Sequence, residues 1–154
     1  MKKMKILAAM VAVVAAFALT AVAVSTHTNM TTTASSAAYA GPATYVVTAT
    51  VDFSAGTYGS GDTVQMISVP AGATVLALAY TVSESNTTTS TIDIGDDGSA
   101  TRYATAVNME TETSATGYSA GYTYTAANTI DFDLNNAVTN GVIKIWALIM
   151  PKPS

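Results

Sequence analysis

The densest group of chemically capable residues in this 154-residue chain is Asp93, Asp96 and Asp97, in the run Asp93-Ile94-Gly95-Asp96-Asp97-Gly98. Carboxylates this close together on a glycine-containing loop can hold Ca²⁺, which takes six to eight oxygen ligands. The spacing lacks the alternate ligands and the distal glutamate of an EF-hand loop. The same residues also build a tight turn, with Asp and Gly serving backbone geometry. The turn is the simpler reading, and the three aspartates stand as a calcium candidate only.

Asp131 and Asp133 form a second pair, on one face of the alternating run Thr129-Ile-Asp-Phe-Asp-Leu134. A paired-carboxylate hydrolase needs two such acids, but two solvent-facing acids also keep a strand soluble, and no base accompanies them. His27, the sole histidine, lies in a Thr-rich stretch and reads as a solvated loop residue. The chain has no cysteine, which excludes disulfides, thiolate metal sites and cysteine nucleophiles. The glycines at 56–61 lack the lysine and following helix of a phosphate loop. These residues predict no enzyme, no cofactor and no catalytic residue.

Charged residues make up only 10% of the chain, against roughly a quarter in ordinary soluble domains. Thr, Ser and Ala take their place, so the polar surface is mostly hydroxyl. Lys2, Lys3 and Lys5 precede the first apolar run; after it come ten acids against Arg102, Lys144 and Lys152, a formal charge of −7. A nucleic-acid-binding surface needs clustered Lys and Arg, so nucleic acid is excluded as a partner.

Four segments follow from these patterns. Residues 1–24 are basic and then apolar from Ile6 to Val24, with Thr20 the only polar interruption. That layout suits a secretory signal, a membrane anchor or an assembly helix; its length is close to the roughly 20 residues that span a bilayer. Ala8, Ala12, Ala16 and Thr20 would line one side of a helix and let a second helix approach. Residues 25–44 are a Ser/Thr/Ala-rich linker or arm with no apolar period, extended enough to add a strand to a neighbour's sheet. Asn29 and Asn86 each begin an N-x-Thr triplet that fits a glycosylation acceptor.

Residues 45–150 read as a β domain, and Pro151 and Pro153 stop further pairing in the tail at 151–154. Strands are expected at 45–53, 63–69, 74–82, 89–94, 102–107, 118–124, 129–134 and 142–150, separated by Gly-, Pro- and Asn-rich turns. The run at 74–82 is so continuously apolar that both faces are expected to be covered. Residues 108–117 read as a polar loop and, with the arm, as a contact surface. Tyr118, Tyr122 and Tyr124 share one face of a regular strand, as core or interface, with a sugar-binding stripe as the alternative. Trp146 is expected at the core edge or an interface. About eight short antiparallel strands predict an all-β jelly-roll sandwich, preceded by a hydrophobic helix and an extended arm. An immunoglobulin-like sandwich is the competing architecture, though the Cys…Trp…Cys signature is missing.

The stretch from Gly61 to Thr105 resembles the small jelly-roll structural proteins of tailed phages, including head-decoration (cement) proteins. The resemblance rests on GDTVQMISVPAGATVLALAYTV, then STIDIGDDGSATRYATA, then the closing Gly-Val-Ile-Lys-Ile-Trp-Ala-Leu strand. It covers about two thirds of the chain. It implies a non-enzymatic virion component that oligomerises, commonly as a homotrimer, and binds capsid subunits at the particle surface. The chain departs from that group in its apolar front. A membrane contact through Ile6 to Val24 and an exported, surface-anchored β-sandwich, forming filaments by strand exchange or acting as an adhesin, is therefore the alternative.

Overall fold

The computed structural model describes residues 26–28, 33–35, 43–111, 113–118 and 121–153. The helix expected over Ile6 to Val24 lies outside them. The described chain contains eleven strands: β1 Thr26–Thr28, β2 Thr33–Ser35, β3 Tyr45–Asp52, β4 Thr63–Val69, β5 Thr74–Glu84, β6 Thr91–Asp96, β7 Ser99–Asn108, β8 Thr113–Tyr118, β9 Tyr122–Thr123, β10 Asn128–Leu134 and β11 Val142–Met150. The only helical turn among the described residues is a 3₁₀ turn at Phe53–Ala55, capped by the Asp52 side chain.

The strands form two sheets. Sheet I runs β1-β4-β10-β6-β7, and sheet II runs β2-β3-β11-β5-β8, with β9 also on β5. Every pairing is antiparallel except β1 on β4. From β3 to β6 the chain changes sheet at each step; the β6–β7 hairpin stays in sheet I, and β8, β10 and β11 alternate again. The all-β, two-sheet expectation is met.

The core lies between the sheets because alternate residues of each strand point inward. β11 shows this most plainly: Ile143, Ile145, Ala147 and Ile149 are fully buried, while Val142, Lys144, Trp146 and Leu148 are half-buried on the outer face. They meet Val64, Met66, Ile92, Ile94, Ile130 and Phe132 from sheet I. Burying one such aliphatic side chain stabilises the fold by about 1.5–3 kcal/mol. The Pro70-Ala71-Gly72 turn forms as expected, with the Ala73 amide donating to the Pro70 carbonyl at 3.1 Å and Gly72 at φ 81°.

Three expectations about elements need correction. β5 is not covered equally on both faces: Val75, Leu78, Tyr80 and Val82 enter the core, and Leu76, Ala77, Ala79 and Thr81 are half-buried. Its apolar run is continuous because Leu76, Ala77 and Ala79 occupy outer positions that are only half-covered. The 108–117 segment is not simply a loop, since Thr113–Tyr118 pairs with β5 as β8 and Met109 is fully buried. The strand expected over 118–124 is interrupted, with Gly121 at φ 51° between β8 and β9.

Candidate functional site

The β6–β7 hairpin gathers the strongest polar constellation of the described residues. Asp96, 3% exposed, closes β6, and its Oδ1 accepts the amides of Gly98 and Ser99, both at 2.9 Å. The Arg102 guanidinium then grips the carboxylate side-on, Nε to Oδ2 and Nη2 to Oδ1, the second at 3.1 Å. The Tyr124 hydroxyl donates to Oδ2 at 2.8 Å and also meets the Tyr103 hydroxyl at 2.6 Å. Arg102 covers the Tyr122 ring at 3.6 Å, and the Tyr122 and Tyr124 rings meet edge to face. The hairpin of sheet I is thereby fastened to the segment that follows β8.

Burial pushes the Asp96 carboxyl up, but the hydrogen bonds from Arg102 and Tyr124 outweigh it and hold the group below the ordinary aspartate range. The bond to Asp96 raises Arg102 in turn. Burial, foremost, pushes Tyr103 up to about 12 and Tyr124 higher, with Tyr103 and Asp96 adding to the latter. Both phenols stay protonated at neutral pH and serve as donors. This is a locked charge pair with no group free to act as nucleophile or base.

The calcium candidates are divided by this arrangement. Asp96 faces Arg102; Asp93 accepts the Ala106 amide at 2.6 Å and the Thr105 hydroxyl at 3.1 Å; Asp97 is exposed in the turn. Among the described residues no three His, Asp or Glu side chains converge closely enough to hold a metal ion. Asp131 and Asp133, expected to face solvent together, also part company. Asp133 accepts the Thr63 hydroxyl at 2.6 Å. Asp131 is 1% exposed, and its Oδ1 has no hydrogen-bond partner.

The burial of Asp131 has a local cause. It pairs with Gly95 across β6, and a side chain at 95 would lie 2.1 Å from the Ser99 carbonyl oxygen. The chain entering β7 therefore folds directly over this position. A bulge in the β4–β10 pairing also falls between Ile130 and Asp131, so that Met66 and Ile67 are both buried. Burial raises the Asp131 pKa to about 6; a hydrogen bond with Thr129 opposes the rise, and Asp97, Asp133 and Asp96 add to it.

A third constellation involves the arm. β1 adds in parallel to the free edge of β4, Thr26 opposite Thr63, and β2 adds antiparallel to β3, Thr33 opposite Thr48. His27, read from sequence as a solvated loop residue, instead places Nε2 3.0 Å from Asp62 Oδ2 and its ring 4.6 Å from that of Tyr58. Asp62 also accepts the Gly59 amide at 2.7 Å. Thr26, Thr50, Val51, Asp52 and Ala55 complete the walls of an open groove of about 580 Å³ around His27. The signal that could have found this contact was weak, because Asp62 lies 35 residues away in a Gly-rich turn.

Three further expectations find their places. Trp146 is half-buried on the outer face of sheet II with Lys144 5.0 Å from its ring. Tyr122 is exposed whereas Tyr124 is buried, although their rings touch, so the two do not form a uniform solvent-facing stripe. Asn86 is buried and donates its amide to Ser90 and Thr88, so the folded protein offers no glycosylation acceptor there. No helix among the described residues is long and apolar enough to cross a membrane.

No protein-family model and no curated protein matches the chain. Solved structures do. A chain of the cyanophage Pam1 capsid asymmetric unit is similar at 27% identity and a TM-score of 0.60, covering 76% of this chain and 91% of that one. A chain of the Ralstonia phage GP4 capsid shares the fold at 10% identity and a TM-score of 0.59, covering 78% and 92%. One from the acid-stable capsid of Helicobacter pylori bacteriophage KHP30 does so at 20% identity and 0.54, covering 80% and 94%. This chain is similar to capsid components of three phages.

Proposed function

We propose that this protein is a structural component of a phage virion, without enzymatic activity, that decorates or cements the capsid by binding capsid subunits and copies of itself. The observation that carries this reading is the similarity to a chain of the cyanophage capsid at 27% identity over 91% of that chain. The strand order supports it. With the eight long strands numbered from β3, sheet II reads 1-8-3-6 and sheet I reads 2-7-4-5, the double Greek key of a jelly roll. The mostly hydroxyl surface and the locked polar groups agree with a protein that meets other proteins. A homotrimer is the assembly we favour.

The test is a density-gradient separation of native particles, with the intact mass of this protein read in each fraction. Co-banding with DNA-filled particles is the expected result. Recovery with membranes or filaments, shortened by the leader at 1–24, would replace this reading with that of an exported surface protein.

A further inference from the structure

The arm is held to the body quite differently from the rest of the chain. β1 and β2 are three residues each, and they sit on edges that belong to different sheets. Their residues are Thr, His, Ala and Ser, with no large aliphatic side chain to bury. Among the described residues they are held by main-chain pairing with β4 and β3 and by the seating of His27 against Asp62 and Tyr58. Each parallel pair of β1 is less stabilising than an antiparallel one. Edge strands accept any chain that presents the right main-chain groups. The β4 and β3 edges, with Asp62 and Tyr58 beside the first, are thus strand-binding sites whose occupant is joined to the body through the nine residues between Ser35 and Tyr45. Such a connector spans up to about 30 Å when extended, roughly the width of the domain.

We propose that, in the assembled particle, β1 and β2 of one copy lie on the β4 and β3 edges of a neighbouring copy, with His27 of the donor seated on Asp62 and Tyr58 of the acceptor. The exchange preserves every contact formed within one chain, and a lattice that holds copies side by side raises the effective concentration of the neighbour's arm. It rests on the reading of the protein as a self-associating virion component. The acceptor site takes a short Thr-His-Thr strand and discriminates through the imidazole, since main-chain pairing alone does not.

The natural absence of cysteine makes the test direct. Two full-length populations are prepared, Thr26→Cys and Thr63→Cys, residues that face each other in the β1–β4 register. They are assembled together and oxidised, alongside the double variant. Exchange predicts disulfide-linked heterodimers in the mixture and linked multimers from the double variant, with the yield falling roughly tenfold when His27→Ala removes the contact to the carboxylate. Co-assembly without heterodimers, while the double variant closes at monomer mass, overturns exchange and leaves the virion reading standing. Unmutated protein that neither self-associates nor binds particles overturns both.

Discussion

Two buried aspartates on neighbouring strands of sheet I have opposite electrostatic fates. Asp96, at the end of β6, is met by two backbone amides, a guanidinium and a phenol, and is held ionised below the ordinary range. Asp131, in the middle of β10, is buried at least as completely, keeps one oxygen unpaired and is raised to about 6. Burial alone would raise both. The difference lies in geometry: the tight turn after Asp96 aims its own amides and the arginine six residues on at the carboxylate, whereas Asp131 lies flat in a sheet whose amides are already paired. A buried charge is tolerated where the local chain turns back to meet it.

The largest disruption of this contrast is expected from Gly95→Ala. A Cβ at 2.1 Å from the Ser99 carbonyl oxygen and 2.3 Å from Ala100 forces the hairpin off the sheet, moving the lid over Asp131 and the turn that serves Asp96 together. We expect a loss of roughly 3 kcal/mol in urea unfolding, with the pH dependence of both aspartates altered.

Arg102→Met separates the two sites. It leaves Asp96 buried without its counter-ion and does not touch Asp131. The partial exposure of the arginine side chain reduces the effect, so a loss of about 2 kcal/mol is expected at pH 7. In the unmutated protein the lowered Asp96 contributes stability that is present above its unfolded pKa of 3.8 and is lost as pH falls through the lower folded value. The variant should lose that acid-side decline, so the two unfolding curves converge as pH falls below 3.8.

Asp131→Asn acts in the opposite direction. The folded pKa of about 6 lies above the unfolded 3.8, so the ionised group destabilises the fold fully above pH 6, less between 6 and 3.8, and not at all below. The amide should therefore raise stability by roughly 1–2 kcal/mol at pH 8, less than ideal because one polar atom still lacks a partner. Thermal unfolding between pH 4 and pH 8 measures it. A constant gain across that range would show that the carboxylate is not the cause.

Much of the sandwich was legible because alternation of Ile, Val and Phe with Thr and Asp gives the strands of a two-sheet protein directly. Thr129 to Leu134 and Val142 to Met150 lie where their pattern placed them. Asp131 was not legible as buried, since what covers it is a hairpin from another part of the chain and what shifts it is a bulge; neither leaves a trace in the periodicity of β10. His27 was missed for a related reason, its partner being 35 residues distant. The Asp96–Arg102 pair, six residues apart across a Gly-containing turn, lies within the reach of local spacing, but the sequence pattern marked Asp96 only as a turn residue or calcium candidate. Tyr124 could not have been paired with Asp96 from spacing alone.

The position of β11 between β3 and β5 has a kinetic consequence. Val142 pairs with Asp52, about ninety residues earlier, and Ile143 with Val82. Sheet II therefore cannot close until its last strand has been made and has threaded between two strands synthesised long before it. Proteins whose contacts span such sequence distances fold in milliseconds to seconds, far more slowly than locally connected ones. Throughout that interval β3 and β5 carry unsatisfied edges in a nascent chain. The arm strand β2 is made before β3 and covers its other edge, so the edge that waits for β11 is the one left open.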